Sequence, residues 1–221
     1  MSAKYIFFPA ASIIKLFIII LITSNSNADS ENIKYYSDDK GTIAIMYHRF
    51  NENKYPSTNI RMDVFKKHME IFKRKKYNFL DPNDFDKNFS EVKTTKKVLI
   101  TIDDGFKSFY EHAWPYLKEN KIPFILFIST EPVGKNGYMN WDEIKEIEKS
   151  EIGFIGHHSH THEYLIDMKE SEFINDIETA TKIFKEKLGY VPSIFSYPFG
   201  EYSLFMKKYI SKRVNQYFIT Y

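Results

Sequence analysis

Short apolar runs and amphipathic segments alternate along the chain from residue 42 onward. Six runs rich in β-branched and aromatic residues have the length of buried strands: residues 42–47, 98–102, 123–129, 152–155, 193–197 and 216–220. Between them, apolar residues recur at helical spacing over residues 62–75, 107–119 and 170–188. This alternation predicts an α/β fold with parallel strands and crossover helices, and it fits a doubly wound sheet and a barrel equally well.

Two helix boundaries are marked by residues that favour them for a physical reason. Asn140 precedes a short helical segment, and Glu143 stands three positions later, as in a capping box. Gly189 directly follows the segment 170–188, where a left-handed residue commonly ends a helix. We therefore predict a helix start at the first point and a helix end at the second.

Polar and conformationally special residues follow four of the predicted strands. In either architecture, the loops after the strands form the face that binds ligands. The residues at these positions are His48, Asp103, Asp104, the histidines of residues 157–162, and Pro198-Phe199-Gly200. We expect them to lie close together on one face of the sheet.

The composition is that of one globular domain. The chain has 221 residues, of which 43% are hydrophobic and 17% aromatic, enough for one sizeable core. It contains no cysteine, which excludes disulfides and thiolate metal ligands. Outside the cytoplasm, such a chain would be stabilised by core packing alone.

The first 28 residues differ from the rest. Lys4 and Lys15 accompany an apolar stretch, and small residues precede a cleavage point after Ala28. This pattern predicts a secretory signal peptide and export to the periplasm, the cell envelope or the exterior. The alternative is an uncleaved membrane anchor, but Pro9 and Lys15 interrupt the apolar stretch and leave it short for a span.

Past the predicted signal peptide (1–28), a polar lead-in occupies residues 29–41 and one domain occupies residues 42–221. Without the signal peptide, 29 of the 31 basic residues and all 29 acidic residues remain. The mature chain is then formally neutral, which gives a nucleic-acid partner no electrostatic support.

Asp103, Asp104 and Gly105 leave the predicted 98–102 strand together. Two adjacent carboxylates repel each other, and burial penalises both charges, so a cation or a hydrogen-bond network must compensate them. Gly105 allows a sharp turn at this point. The alternative is a helix N-terminus, because acidic residues favour its positive end. Asp103 and Asp104 alone do not distinguish a functional site from a helix N-terminus.

Four of the seven histidines lie within six positions, at 157, 158, 160 and 162. His158 and His162 have the i, i+4 spacing that lets two imidazoles share one face of a helical turn and bind one divalent metal. The alternative is a solvated histidine cluster, which is disfavoured by the buried strand directly before it. His157 and His160 are then either supporting groups or solvated.

Two imidazoles and one carboxylate form a facial triad that leaves metal positions open for water and substrate. With Asp104 as the third ligand, Asp103 would stand beside the metal as a base able to take a proton from water. His48 is placed to protonate a leaving group, although on its own it fits a buried structural histidine better.

Two motifs resemble those of a known family. Thr101-Ile102-Asp103-Asp104-Gly105 is similar to the T-F-D-D-G motif of NodB-type polysaccharide deacetylases, carbohydrate esterase family 4, and residues 158–162 fit its H-[ST]-x-x-H motif. The resemblance implies an incomplete (β/α)7 barrel and a metal site, usually zinc. It also implies that Asp103 is the general base and that Asp104, His158 and His162 are the metal ligands.

Met46-Tyr47-His48 resembles the M-Y-H segment of the poly-N-acetylglucosamine deacetylase subgroup. That resemblance implies that His48 is the general acid. The third family motif, R-x-P-[YF], reads Ser196-Tyr197-Pro198-Phe199 here, so the arginine that steadies the base is replaced by serine. The family would also supply at least one more strand and helix after residue 208, so we expect a barrel truncated at its C-terminus.

These features predict a hydrolase that removes N-acetyl groups from an N-acetylglucosamine-containing glycan. The same site could attack an O-acetyl ester, and a non-catalytic module that binds glycan or metal is a further alternative. Four aromatic residues, Trp114, Tyr138, Trp141 and Phe199, fit either a sugar-stacking platform or the core.

Overall fold

The computed structural model describes residues 41–84, 96–212 and 217–219. The predicted signal peptide (1–28) and all of the polar lead-in before Gly41 lie outside these residues. None of the helices described is long and apolar enough to cross a membrane.

Seven strands of the described residues form one parallel sheet that curls into an incomplete barrel. Its order is β1-β5-β6-β7-β8-β9, with β4 paired to β5, and a second parallel pair joins β2 to β3. The strands are β1 (Gly41–Tyr47), β2 (Arg49–Phe50), β3 (Asn59–Ile60), β4 (Asn78–Phe79), β5 (Lys96–Ile102), β6 (Phe124–Ile128), β7 (Gly153–His157), β8 (Ile194–Ser196) and β9 (Tyr217–Ile219).

The described residues include five α-helices: α1 (Met62–Arg74), α2 (Trp114–Glu119), α3 (Trp141–Glu148), α4 (Glu170–Leu188) and α5 (Leu204–Ser211). Both predicted helix boundaries are confirmed. The side chain of Asn140 caps α3 in a complete capping box with Glu143, and Gly189 ends α4 with a φ of 85°.

The predicted helix over residues 107–119 is interrupted. Residues Phe109–Ala113 form a π-helical segment before α2, and the N–H of Trp114 donates to the carbonyl of Phe109 instead of that of Tyr110. Pro115 explains the change, because it has no N–H for the carbonyl four positions before it and its ring would clash there. A wider turn can hold that carbonyl away from the proline ring.

The sheet buries both faces, which is why its strands read as continuous apolar runs. Alternate residues of β6 divide between two clusters. Phe124, Leu126 and Ile128 belong to the main core, whereas Ile125 and Phe127 pack on the opposite face. The six predicted strands are confirmed with shifted ends, and β7 continues to His157.

Gly156 of β7 pairs with Phe127 of β6, and a methyl group at Gly156 would lie 2.3 Å from Phe127 Cδ1. Phe127 is fully buried, so its ring can move only by displacing packed neighbours. We expect Gly156→Ala to lower the free energy of unfolding by about 1–3 kcal/mol in urea denaturation. The control Ser171→Ala, exposed on α4, should change it by less than about 0.5 kcal/mol. Equal stability of both variants would contradict this packing.

Candidate metal centre

The carboxyl ends of β1, β5, β7 and β8 meet around one cavity of about 370 Å³. In the register of β1 and β5, Tyr47 pairs with Ile102, so His48 and Asp103 are the next residues of neighbouring strands. The Asp103 N–H donates to the Tyr47 carbonyl at 2.8 Å and holds the two ends together. The cavity is lined by Met46, His48, Thr58, Asp103, Asp104, His158, His162, Tyr197, Phe199 and Gly200. All five predicted site residues are therefore brought together.

The chain turns sharply as it leaves β5. Asp104 and Gly105 both have a φ of 71°, and a side chain at Gly105 would meet Ile128 at 2.7 Å. The turn directs the Asp104 carboxyl toward the histidines, with Oδ1 2.9 Å from His162 Nε2 and 3.5 Å from His158 Nε2. The Asp104 carboxyl thus faces both imidazoles.

The prediction that His158 and His162 share a helical turn is wrong. Residues 158–162 form a loop in which Ser159 and His162 have φ values of 68° and 59°. The two rings nevertheless lie with centroids 4.9 Å apart. Two left-handed residues in this short loop bring the rings together without a helix.

This loop is held by the buried carboxylate of Asp176 in α4. Asp176 accepts hydrogen bonds from the backbone N–H of His160 (2.8 Å) and Thr161 (3.0 Å) and from the Thr161 hydroxyl (2.7 Å). On the other side, Thr130 Oγ1 and His160 Nδ1 are 2.7 Å apart. His160 therefore anchors the loop and lies outside the ligand set. Its backbone N–H hydrogen-bonds to Asp176 in place of water.

Asp176 was not among the predicted site residues, although its position in the sequence gave a signal. It lies on the apolar stripe of α4 with Phe173, Ile177 and Ala180, all of them buried. An acidic residue at such a position is rarely buried unless a partner compensates its charge. That pattern predicts a structural anchor, but the sequence does not show what it binds.

The orientation of the His158 ring is fixed by a hydrogen bond at Nδ1, the ring nitrogen that does not face Asp104. Its Nδ1–H donates to the Ser196 carbonyl at 2.8 Å, which leaves the Nε2 lone pair facing Asp104. The serine that replaces the motif arginine thus contributes its backbone here, and its hydroxyl has no hydrogen-bond partner among the described residues. His157 is fully buried behind the site, and burial lowers its pKa to about 3. It is a neutral structural group.

The two adjacent carboxyl groups titrate differently. Burial raises the pKa of Asp103 to about 7, although the charge of His158 opposes the rise. Burial also penalises the charge of Asp104, but the imidazoles of His158 and His162 outweigh this effect and hold its pKa well below the usual range. Burial would lower the pKa of His158, but Asp104 and Asp103 raise it instead.

The residues present fit a divalent metal ion. One ligand atom from each of Asp104, His158 and His162 lies within 4.8 Å of the others. Asp104 Oδ1 is buried and, despite its short distances to the two Nε2 atoms, has no hydrogen bond of good geometry. The three atoms are close enough together to bind one ion. Asp103 stands beside this group, with Oδ2 3.9 Å from His158 Nε2.

Asp104 and His162 also line a second cavity, of about 380 Å³. Of the four aromatic residues considered, Tyr138 lines this second cavity and Phe199, 63% exposed, lines the first. Trp114 is buried in the core, and the partly buried Trp141 packs against it. Tyr138 and Phe199 therefore each line a cavity that also includes Asp104 and His162.

Comparisons with known proteins agree with this architecture. The family model described as polysaccharide deacetylase matches residues 90–217. The structure of IcaB from Ammonifex degensii superposes with a TM-score of 0.69 at 28% identity, over 78% of this chain and 80% of that one. The Staphylococcus aureus poly-β-1,6-N-acetyl-D-glucosamine N-deacetylase is 24% identical, over 85% of this chain and 78% of that protein. YxkH of Bacillus subtilis is 26% identical over 72% of this chain, which spans 57% of its length.

The anchoring of the histidine loop gives a testable consequence. Asp176→Asn removes one of the two acceptor oxygens, so the loop should lose a hydrogen bond. His158 and His162 should then no longer keep their relative position. We expect zinc affinity, measured by competition with a chromogenic chelator, to fall about 10–100-fold. The control Asn175→Ala, exposed on the same helix, should leave the affinity unchanged. Equal affinity of the Asp176→Asn variant and the wild type would show that the loop needs no such anchor.

Proposed function

Because the chain belongs to the polysaccharide deacetylase family, we propose that it hydrolyses N-acetyl groups of a glycan that contains N-acetylglucosamine. One observation supports this most strongly. Ligand atoms of Asp104, His158 and His162 lie within 4.8 Å of one another, with Asp103 beside them and His48 on the same cavity. This arrangement supplies a metal site, a base and an acid within one pocket.

The substrate class is supported by the relatives and by the shape of the site. The Staphylococcus aureus relative is named for poly-β-1,6-N-acetyl-D-glucosamine. Two cavities that share Asp104 and His162 allow an extended chain of sugars to lie across the centre. Phe199 and Tyr138 then offer aromatic faces to pyranose rings on either side.

The ligand set favours zinc. Imidazole nitrogen and carboxylate oxygen both bind Zn²⁺ well, and three protein ligands are the number found in catalytic zinc sites. When bound by Asp104, His158 and His162, a zinc ion would lower the pKa of a water molecule and polarise the acetamide carbonyl. The burial of Asp104 and the hydrogen bond behind His158 hold these ligands in place.

Asp103 acts as the general base in this proposal. The residue is 2% exposed, and burial, partly opposed by the charge of His158, raises its pKa to about 7, so it can both take and release a proton near neutral pH. It removes one proton from the water whose oxygen bonds to the acetamide carbon. A nearby cation lowers this pKa, which favours the charged form that accepts the proton.

His48 acts as the general acid. Burial lowers the pKa of its imidazole, and the charge of Asp104 partly opposes this shift. His48 donates its proton to the amine nitrogen as the bond between carbon and nitrogen breaks, and acetate and the free amine leave. An amine is a poor leaving group unless it is protonated, so this transfer is needed for turnover.

We also propose that the enzyme acts outside the cytoplasm. The basic start, apolar middle and small residues before the cleavage point support export through a signal peptide over residues 1–28.

Acetate release from a β-1,6-linked N-acetylglucosamine oligosaccharide, measured together with bound zinc, tests the proposal. Asp103→Asn should reduce kcat by at least about 100-fold and retain stoichiometric zinc, because it removes only the base. Asp104→Asn should lose both zinc and turnover. The control Asp142→Asn, exposed on α3, should change neither.

Either of two results would refute the assignment. One is full turnover by Asp103→Asn, which would leave the base without a role. The other is stoichiometric zinc in Asp104→Asn, which would place the metal elsewhere.

A further inference from the structure

The segment that follows His48 is fastened to the segment that follows Asp103 and Asp104. Arg49 Nη1 donates to Glu52 Oε2 at 2.9 Å, and Ser108 Oγ donates to Glu52 Oε1 at 2.6 Å. The same Ser108 oxygen accepts from the backbone N–H of Phe50 at 3.2 Å. A closed polar network therefore joins the two segments.

Arg49 also lies between two aromatic rings. Its guanidinium carbon is 3.4 Å from the centroid of the Phe106 ring and 4.2 Å from that of the Tyr55 ring. The Arg49 and Glu52 side chains are only 16% and 24% exposed, so water screens this pair less than an ordinary surface ion pair. Planar stacking of this kind is available to arginine and not to lysine.

The position of this network in the fold gives it a consequence for catalysis. Phe106 and Ser108 follow Asp104 by two and four positions, and Arg49 comes directly after His48. The bond from Asp103 N–H to Tyr47 carbonyl fixes the end of β1, but His48 lies one residue beyond that strand. The side chains of Arg49, Glu52 and Ser108 line neither of the two cavities. They are therefore placed to act on substrate only through another residue.

We propose that Arg49, Glu52 and Ser108 are positioning residues that hold the His48 imidazole in line with the leaving nitrogen; this inference rests on the proposed function. A mutation far from the reacting atoms can lower turnover by about 100-fold if it displaces a catalytic group by about 1 Å. Pairing of β2 with β3 already holds the backbone of Arg49 and Phe50. The network adds a side-chain link from this segment to the segment that carries the base. The acid and the base then keep a constant separation.

The test compares two substrates that differ in their need for an acid. The amine of an N-acetyl oligosaccharide cannot leave without a proton, whereas the nitrophenolate of 4-nitrophenyl acetate can. We expect Arg49→Lys and Glu52→Gln to lower kcat for the oligosaccharide about 100-fold with KM almost unchanged. Hydrolysis of the aryl ester should stay within about twofold of the wild type.

A matched control and a double variant complete the experiment. Arg61→Lys alters another arginine-carboxylate pair, that of Arg61 with Asp63, which is exposed to solvent; it should affect neither substrate. In a His48→Ala background, Arg49→Lys should change oligosaccharide turnover by less than about twofold, since the residue it positions is gone.

Equal losses on both substrates, or a further large loss in the His48→Ala background, would overturn the inference and reduce the network to a support of the fold. Unchanged oligosaccharide turnover in Arg49→Lys and Glu52→Gln would overturn it as well. A wild-type chain that hydrolyses the aryl ester but releases no acetate from the oligosaccharide would instead refute the proposed function, and with it the role assigned to His48.

Discussion

Burial of two adjacent carboxyl groups is the constraint on which the rest of this site depends. Asp103 and Asp104 leave β5 together, and the surrounding sheet excludes the water that would otherwise solvate their charges. Two imidazoles on the neighbouring loop compensate Asp104. That loop in turn needs Asp176 behind it, because its backbone N–H groups are withdrawn from water. A chain of polar contacts thus runs from the carboxyl groups after β5, through the histidine loop, to Asp176 on α4.

The same constraint gives the two carboxyl groups different pKa values. Asp104 faces the histidines and stays ionised, as the proposed metal ligand must, whereas Asp103 is displaced from them and its pKa rises to about 7. A one-residue step along the chain, with the left-handed backbone at Asp104, produces this difference. Groups with divergent pKa values in one pocket are the usual basis of acid and base chemistry near neutral pH.

Much of the fold could be predicted because apolar runs and helical periodicity report directly on burial. The strands of two residues, β2 to β4, have no periodicity to detect, and the π-helical segment depends on one proline. The five site residues were identified from their positions after strands and from motif resemblance. The geometry of these residues could not be predicted, because the spacing of His158 and His162 fits a helical turn as well as the observed loop. Long-range partners such as Asp176 and Glu52 are set by tertiary contacts that no local pattern records.

Anomalous diffraction at the zinc edge, from crystals of the full chain grown with Zn²⁺, tests the central claim most directly. The account predicts one peak at about 2.0–2.2 Å from an Asp104 carboxylate oxygen and from the Nε2 atoms of His158 and His162. Asp103 should lie nearby without a bond to the ion. A peak bonded to Asp103 in place of Asp104, or the absence of a peak between the two histidines, would contradict it.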